Sequence, residues 1–366
     1  MRGVAIAIVV VYHYVNFAVD AGAPRIVKIL VRPTSLGWSG VDLFFVLSGF
    51  LIGGILLDGR ESSNYFRVFY RRRACRIFPL YFAFLAVILF TAHFASLPLE
   101  TFFMPAIPWP ALATFCQNFW MAIHNELGAV AVNPTWSLAV EEQFYLTLPA
   151  IIYFVRQPQL IWVLTGGIIL APLIRVAIFL ANPRLSTAIY VLLPCRMDSL
   201  LFGVAAAYFL RRPGAWEFVR AHRRRLWTAT EVLTAVTALF LYKASPTDPL
   251  TMLLGYECLG LLYACFLVLS LVDEGLAKVL RAKWLMGLGG ISYCVYLIHP
   301  LAFVLALTLL RGTPNRGAIS AIIGLVVTIV VAKMSWAWFE KPLVIYGHRE
   351  GYKPSSSLQP DRVPLS

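Results

Sequence analysis

Gly40-Val-Asp-Leu-Phe-Phe-Val-Leu-Ser-Gly-Phe-Leu-Ile-Gly-Gly-Ile-Leu-Leu57 carries a single ionisable residue, Asp42. A helix needs about 20 predominantly apolar residues to cross a bilayer, and this run, extended to residues 36–57, satisfies that requirement. The rest of the chain is built the same way. Of its 366 residues, 60% are hydrophobic and 13% charged, and the mean hydropathy is +0.75. Soluble domains carry about 25% charged residues. A chain this apolar must use lipid as solvent, which excludes the two or three water-soluble domains that its length would otherwise suggest. Similar runs at 3–19, 77–97, 135–155, 159–180, 187–210, 226–242, 250–272, 285–310 and 317–339 bring the expected spans to ten. An eleventh, 106–123, is short and interrupted by Pro108 and Pro110.

Whether 106–123 crosses decides the side of everything after it, and the basic residues arbitrate. With ten spans and the N-terminus inside, 21 of the 31 Lys and Arg fall in inner segments and seven in outer loops. A crossing at 106–123 would move the clusters at 211–225 and 273–284 outside and reverse that bias. The positive-inside rule therefore favours an all-α, polytopic membrane bundle of about ten spans with both termini cytoplasmic. The 106–123 segment is then re-entrant or interfacial, tolerable at depth only where protein buries it. The excess of 31 basic over 18 acidic residues is a topology signal, and no nucleic-acid partner is expected. The chain divides into a membrane domain, 1–342, and a cytoplasmic tail, 343–366, whose Pro/Ser-rich end reads as disordered.

Met1-Arg2, an apolar run and Ala21-Gly22-Ala23 are arranged as in a signal peptide, but Tyr12, His13, Tyr14 and Asn16 interrupt the run and favour a retained helix. The six cysteines, at 75, 116, 195, 258, 265 and 294, form no C-x-x-C pair and read as packing residues. The six histidines are scattered without an H-E-x-x-H, so no metal site is expected.

Ionisable groups inside a span are functional hypotheses by default. His13 follows Arg2 by eleven residues, about 16 Å along a helix, which places it near mid-membrane if Arg2 marks the cytoplasmic rim. An imidazole there, with a reference pKa of about 6.5, suits a general base. Small residues such as Ser48 and Gly49 permit close helix packing but do not account for Asp42. Tyr70-Arg-Arg-Arg-Ala-Cys-Arg76 is either ordinary anchoring or an anion clamp made by its four arginines, Arg71, Arg72, Arg73 and Arg76. Glu141 and Glu142, after Trp136, face directions 100° apart on a helix, so one can point inward while the other does not. Arg196 and Asp198 suggest an ion network as readily as a site. His299 is a second mid-span histidine, and Pro300 would free a backbone carbonyl one turn earlier and kink the helix. Phe339-Glu-Lys-Pro342 reads as a helix stop.

Taken in order, these segments resemble the acyltransferase 3 family of integral-membrane O-acyltransferases. The set comprises Arg2-x10-His13, Gly40-Val-Asp-Leu-Phe-Phe-Val-Leu-Ser-Gly-Phe50, Arg72-x3-Arg76 with Ile77-x-Pro-Leu-Tyr81, Trp136-Ser-Leu-x-Val-Glu-Glu-Gln-Phe-Tyr145, Arg196-x-Asp198, Ile291-Ser-Tyr293-x-x-Tyr-Leu-x-His299 and Phe339-Glu-Lys-Pro342. The resemblance implies transfer of an acyl group, commonly acetyl, from cytoplasmic acyl-CoA to a hydroxyl of an extracytoplasmic acceptor. The bilayer, acyl-CoA (acetyl-CoA) as co-substrate and a glycan or lipid-linked sugar are then the partners, with no bound cofactor and a multi-pass location in the inner or plasma membrane. It makes His13 and Arg2 the essential histidine and arginine, and Arg72 and Arg76, beside Arg73, the donor-binding arginines. Two departures attach to it. The family pattern has further residues before this arginine, so the coding region is expected to begin upstream of Met1. With only 27 residues after Phe339, the hydrolase-like domain of some members is not expected.

The expected mechanism uses His13 as base, either directly or through an acyl-His relay, with Asp42 and Glu142 orienting the acceptor hydroxyl. Ser48, Trp136, Glu141, Arg196, Asp198, Tyr293 and His299 stand in support. An acyl-Ser or acyl-Cys intermediate is disfavoured, because neither residue type sits beside a plausible base. The alternative is a polysaccharide or small-molecule exporter, since midplane charges also mark transport paths. The cytoplasmic arginine cluster combined with one mid-membrane histidine favours the enzyme.

Overall fold

The computed structural model describes residues 1–19, 24–94, 107–241 and 245–354. Among them the chain is all-helical, with one isolated bridge between Ser62 and Pro354 in place of any strand. Seven helical stretches are long and apolar enough to cross a membrane: Arg25–Gly59, Tyr65–Phe90, Gln157–Ala181, Ser186–Phe209, Thr251–Val272, Ser292–Leu309 and Arg316–Gly347. The other three expected spans are helices that are shorter or more charged. Arg2–Ala18 has 17 residues. Thr135–Phe154 carries Glu141, Glu142 and Gln143, and Arg223–Leu241 opens on three arginines.

The 106–123 segment does not form a spanning helix. Trp109–Ala113 and Gln117–His124 are five and eight residues long, and at 1.5 Å per residue neither approaches the roughly 30 Å of a hydrocarbon core. Phe115 between them takes a left-handed backbone (φ 55°) and lays its ring on Tyr81, centroids 4.5 Å apart. Gln117 and Asn118, both fully buried, donate to the Thr135 carbonyl at 2.8 Å and to Gln143 at 3.2 Å. Tyr81 and Gln143 donate to the Leu112 and Phe115 carbonyls at 2.8 and 2.9 Å, so protein side chains meet irregular backbone here.

Two boundaries depart from the sequence reading. Phe339-Glu-Lys-Pro342 is no helix stop: a wide turn at Trp336–Glu340 leads into Lys341–Gly347, with Pro342 in the first turn, where a missing N–H costs least. Nor is the first part of the expected tail loose. Beyond Gly347 the chain returns across Tyr65–Phe94, donating Lys353 N–H to Asn64 at 2.9 Å and accepting from Ser63 N–H at 3.0 Å. Residues 355–366 lie outside those described.

Helix ends gather by charge. At one end of the bundle Arg211 grips Asp58 with two hydrogen bonds of 2.6 and 2.7 Å. Arg60 caps the last carbonyls of Thr135–Phe154, reaching Val155 at 2.6 Å, a favourable place for a cation. Arg71 meets Glu350 at 3.3 Å, and Ser270 meets the Met1 sulfur at 3.2 Å. At the other end Thr187 N–H donates to Asn125 at 3.2 Å and Tyr256 to the Pro246 carbonyl at 2.6 Å.

The centre is held by buried charge. Asp42 and Arg196, both fully buried, pair at 2.6 Å, joining Gly40–Gly59 to Leu193–Phe209. The Arg196 guanidinium lies 3.5 Å from the Tyr256 ring centroid and within 6 Å of Phe45, Trp136 and Tyr190, a cation–π cage in a dry interior. Asp198 pairs with Arg175 at 2.9 Å, not with its neighbour Arg196, and Arg175 also reaches Glu257. The two helices approach so closely at Gly49 and Gly203 that a Cβ on either would collide with the opposing backbone.

Arg196→Met, which strands Asp42, should cost about 3–5 kcal/mol, the usual penalty for an uncompensated buried charge. It should show as a lower unfolding midpoint in detergent. The double variant with Asp42→Leu should regain most of that loss, and a double variant as unstable as the single would mean the pair is incidental.

Candidate active site

Five helices converge on a cavity of about 710 Å³, counting its open mouth. Arg2, Ser48, Arg73, Arg76, Ser137, Glu141, Tyr145, Ser292, Tyr293 and Tyr296 supply its polar lining. Arg73 and Arg76 are one turn apart on Tyr65–Phe94, so both face the same way. Arg73 lies 5.9 Å from the Tyr145 ring centroid. Glu141 and Tyr145, four residues apart on Thr135–Phe154, share the cavity face, and the Ser48 hydroxyl donates to the Glu141 carboxylate. Arg2 and Arg73 stand within electrostatic range of that carboxylate, giving the cavity one acid among three arginines. Tyr293 donates to the Ile77 carbonyl at 3.0 Å, tying two of the walls together.

The histidines form a pair. His299 Nε2 lies 3.3 Å from His13 Nδ1, with ring centroids 4.8 Å apart and near perpendicular. Pro300 explains the arrangement. Lacking an N–H, it cannot bond the Tyr296 carbonyl, and His299 Nδ1 occupies that carbonyl at 2.8 Å, with Val295 O at 3.1 Å. Carbonyls only accept, so His299 Nδ1 carries the proton and Nε2 is an acceptor. His13 Nδ1 also faces a carbonyl, Val9 O at 2.9 Å, so it too carries its proton, shared with His299 Nε2. The basic lone pair of a neutral His13 is therefore on Nε2. Fully buried His299, whose own carbonyl accepts from Tyr14 at 2.9 Å, orients that ring. Tyr296 connects the two regions: it lines the cavity, and its ring centroid is 6.0 Å from that of His299.

The structure sorts the expected residues. Arg2, Ser48, Arg73, Arg76, Glu141 and Tyr293 meet in the cavity; His13 does not line it but pairs with His299, whose ring neighbours the cavity residue Tyr296. Asp42 is not at the cavity. It is consumed by Arg196 and Ser199, and Arg196, Asp198 and Trp136 belong to that same frame. Glu142 turns away from the cavity, with one carboxylate oxygen buried and unpartnered, and of the two glutamates it is Glu141 that lines the cavity. Arg72 also turns away, donating to the Glu350 carbonyl at 3.0 Å and lying over the Tyr352 ring. Glu350, facing Arg67, Arg71 and Asn64, has its carboxyl held below the usual range, chiefly by the Asn64 hydrogen bond. Sequence reasoning passed over Ser137, Tyr145 and Tyr296. It also passed over Glu340, which the wide turn buries within electrostatic range of Arg76. Tyr145 and Tyr296 were discernible as one-turn neighbours of Glu141 and His299.

Comparisons with known proteins bear on the chain as a whole. The chain is 27% identical to the peptidoglycan O-acetyltransferase OatA of Listeria monocytogenes, over 94% of its own length and 54% of the relative's. It is 27% identical to the putative peptidoglycan O-acetyltransferase YrhL of Bacillus subtilis (95% and 55%), and 25% identical to the O-acetyltransferase OatA of Staphylococcus aureus (88% and 54%). The chain thus spans about half the length of the curated relatives it matches. No solved structure matches it. The family model for the acyltransferase domain covers residues 1–334, which takes in the cavity, the histidine pair and the buried frame, and the chain belongs to the acyltransferase 3 family.

Proposed function

We propose that this chain is a membrane O-acyltransferase that moves an acetyl group from cytoplasmic acetyl-CoA to a hydroxyl of a glycan outside the cytoplasm. The observation that carries the reading is the His13–His299 pair standing beside a cavity lined by Arg2, Arg73 and Arg76. The guanidiniums suit the phosphates of CoA, which they can grip bidentately. The acyl thioester would pass Tyr296 towards His13. His13 Nε2 takes the proton of the acceptor hydroxyl, whose oxygen attacks the thioester carbonyl carbon. The carbon–sulfur bond breaks, and the departing thiolate recovers a proton from the imidazolium. His299 stays neutral and accepts from His13 Nδ1–H throughout, so positive charge on His13 strengthens an existing hydrogen bond. The names of the Listeria and Bacillus relatives point to peptidoglycan as the glycan.

Ten spans with both termini cytoplasmic accompany this reading. The contacts of Arg211 with Asp58, Arg60 with Val155 and Arg71 with Glu350 favour it, because they join at one end segments that ten crossings would put on one side. Cysteine labelling from outside should reach residues 124–134 and spare 60–76 and 211–225. Labelling of 211–225 from outside would sink the ten-span arrangement.

Turnover and donor binding, measured separately on purified protein, test the chemistry. His13→Ala should cut turnover by roughly 10²–10⁴-fold, the usual worth of acid–base catalysis, while acetyl-CoA binding persists. Arg76→Gln should weaken donor binding, with Arg76→Lys intermediate because ammonium keeps charge but loses the planar fork. His299→Phe should lower turnover without weakening donor binding. Full turnover in folded His13→Ala protein would overturn the mechanism and leave an exporter as the better reading.

A further inference from the structure

A second concavity, sharing no lining residue with the catalytic cavity, lies where Leu193–Phe209, Ala215–Ala221, Arg223–Leu241 and Tyr256–Val272 meet. It has two parts in contact. One is an open apolar groove, about 1310 Å³ when the solvent before it is counted, walled by residues such as Phe202, Ala206, Phe218, Ala229 and Val268. The other is an open basic pocket, about 1170 Å³ on the same measure, lined by Arg220, Arg223, Arg224 and Arg225, with Glu274 as its one acid. His222 and Arg225 line both. Arg223 is partly committed, 3.7 Å from Asp273, which caps Glu274–Leu280 through Leu276 N–H at 2.9 Å. Arg220, Arg224 and Arg225 make no ion pair among the described residues. Phe218, in the groove wall, is 55% exposed, and Trp216, two residues earlier, is 38% exposed, as interfacial aromatics are.

An apolar slot between spanning helices that opens into an arginine pocket matches the two halves of one molecule: acyl chain and anionic headgroup. We propose that this concavity is a specific binding site for an anionic glycerophospholipid, whose phosphate sits among Arg220, Arg224 and Arg225 and whose acyl chain lies in the groove. Basic pockets between helices at a membrane surface take anionic headgroups in this manner, each nearby charge adding to retention. A soluble anion would use the pocket but leave the groove empty, and a zwitterionic lipid would use the groove without the charge complementarity. The site requires nothing of the catalytic reading, since the residues and the ligand differ.

The test is native mass spectrometry of the full chain released from detergent containing equal amounts of phosphatidylglycerol and phosphatidylcholine. Phosphatidylglycerol should be retained in preference. Joint Arg220→Gln, Arg224→Gln and Arg225→Gln substitution should weaken its retention at least about tenfold, whereas Lys at the same three positions should keep most of it. Ala206→Trp with Ala229→Trp, which fills the groove and spares the charges, should also release the lipid. Unfolding midpoints accompany each variant, and the Lys and Trp variants decide the matter if the Gln variant is unstable. Equal retention of both lipids would overturn the proposal. So would undiminished retention in the groove-filled variant, or displacement of the lipid by millimolar inorganic phosphate.

Discussion

An arginine and an aspartate cannot be left unpaired in hydrocarbon, and the Asp42–Arg196 pair organises this bundle accordingly. Its cost is offset by direct contact at 2.6 Å and by the aromatic cage around the guanidinium. To keep the pair, Gly40–Gly59 and Leu193–Phe209 must lie against each other, which the glycines at 49 and 203 permit. The second pair, Arg175 with Asp198 and Glu257, adds two more helices to the frame. Ser48 stands about 9 Å along the helix from Asp42, at the cavity wall. Charges with no contact to the cavity thus fix a residue that lines it.

A second constraint is smaller and more local. Proline in a helix normally counts as a loss of one hydrogen bond. At Pro300 the loss is specific: the orphaned Tyr296 carbonyl fixes the tautomer of His299, and His299 Nε2 joins the Val9 carbonyl in fixing that of His13. In the proposed mechanism this is the logic of a base held by a hydrogen-bonded orienting group, with a neutral imidazole where many enzymes use a carboxylate. A carboxylate at that depth would need its own counter-charge, and the nearby cations are already engaged in the frame or line the cavity.

Much of this was legible in the sequence, because bilayer physics leaves little freedom. Runs of about 20 apolar residues gave the helices, and the distribution of arginines set apart 106–123, whose described residues form two short helices. What one dimension could not supply was partnership. Asp42 was assigned to the acceptor because the residue 154 positions away that neutralises it does not announce itself. Glu141 and Glu142 differ by one helical step, and only the packed helices decide which meets Ser48. Arg72 matches the family spacing, yet the returning chain at Glu350 and Tyr352 turns it from the cavity, a contact across 278 residues. His299 was legible as a mid-span histidine but not as the neighbour of His13, for the same reason.

The central claim is that donor and base meet, with the phosphates of acetyl-CoA held by Arg2, Arg73 and Arg76 and the thioester beside His13. The most direct measurement is a cryo-electron microscopy structure of the full chain with a non-hydrolysable acetyl-CoA analogue. The account predicts a pantetheine arm running past Tyr296, with the acyl carbonyl carbon near enough to His13 that a hydroxyl oxygen could sit about 3–3.5 Å from that carbon while hydrogen-bonded to Nε2. An analogue bound elsewhere, or lodged in the cavity with its acyl group pointing away from the histidine pair, would contradict it.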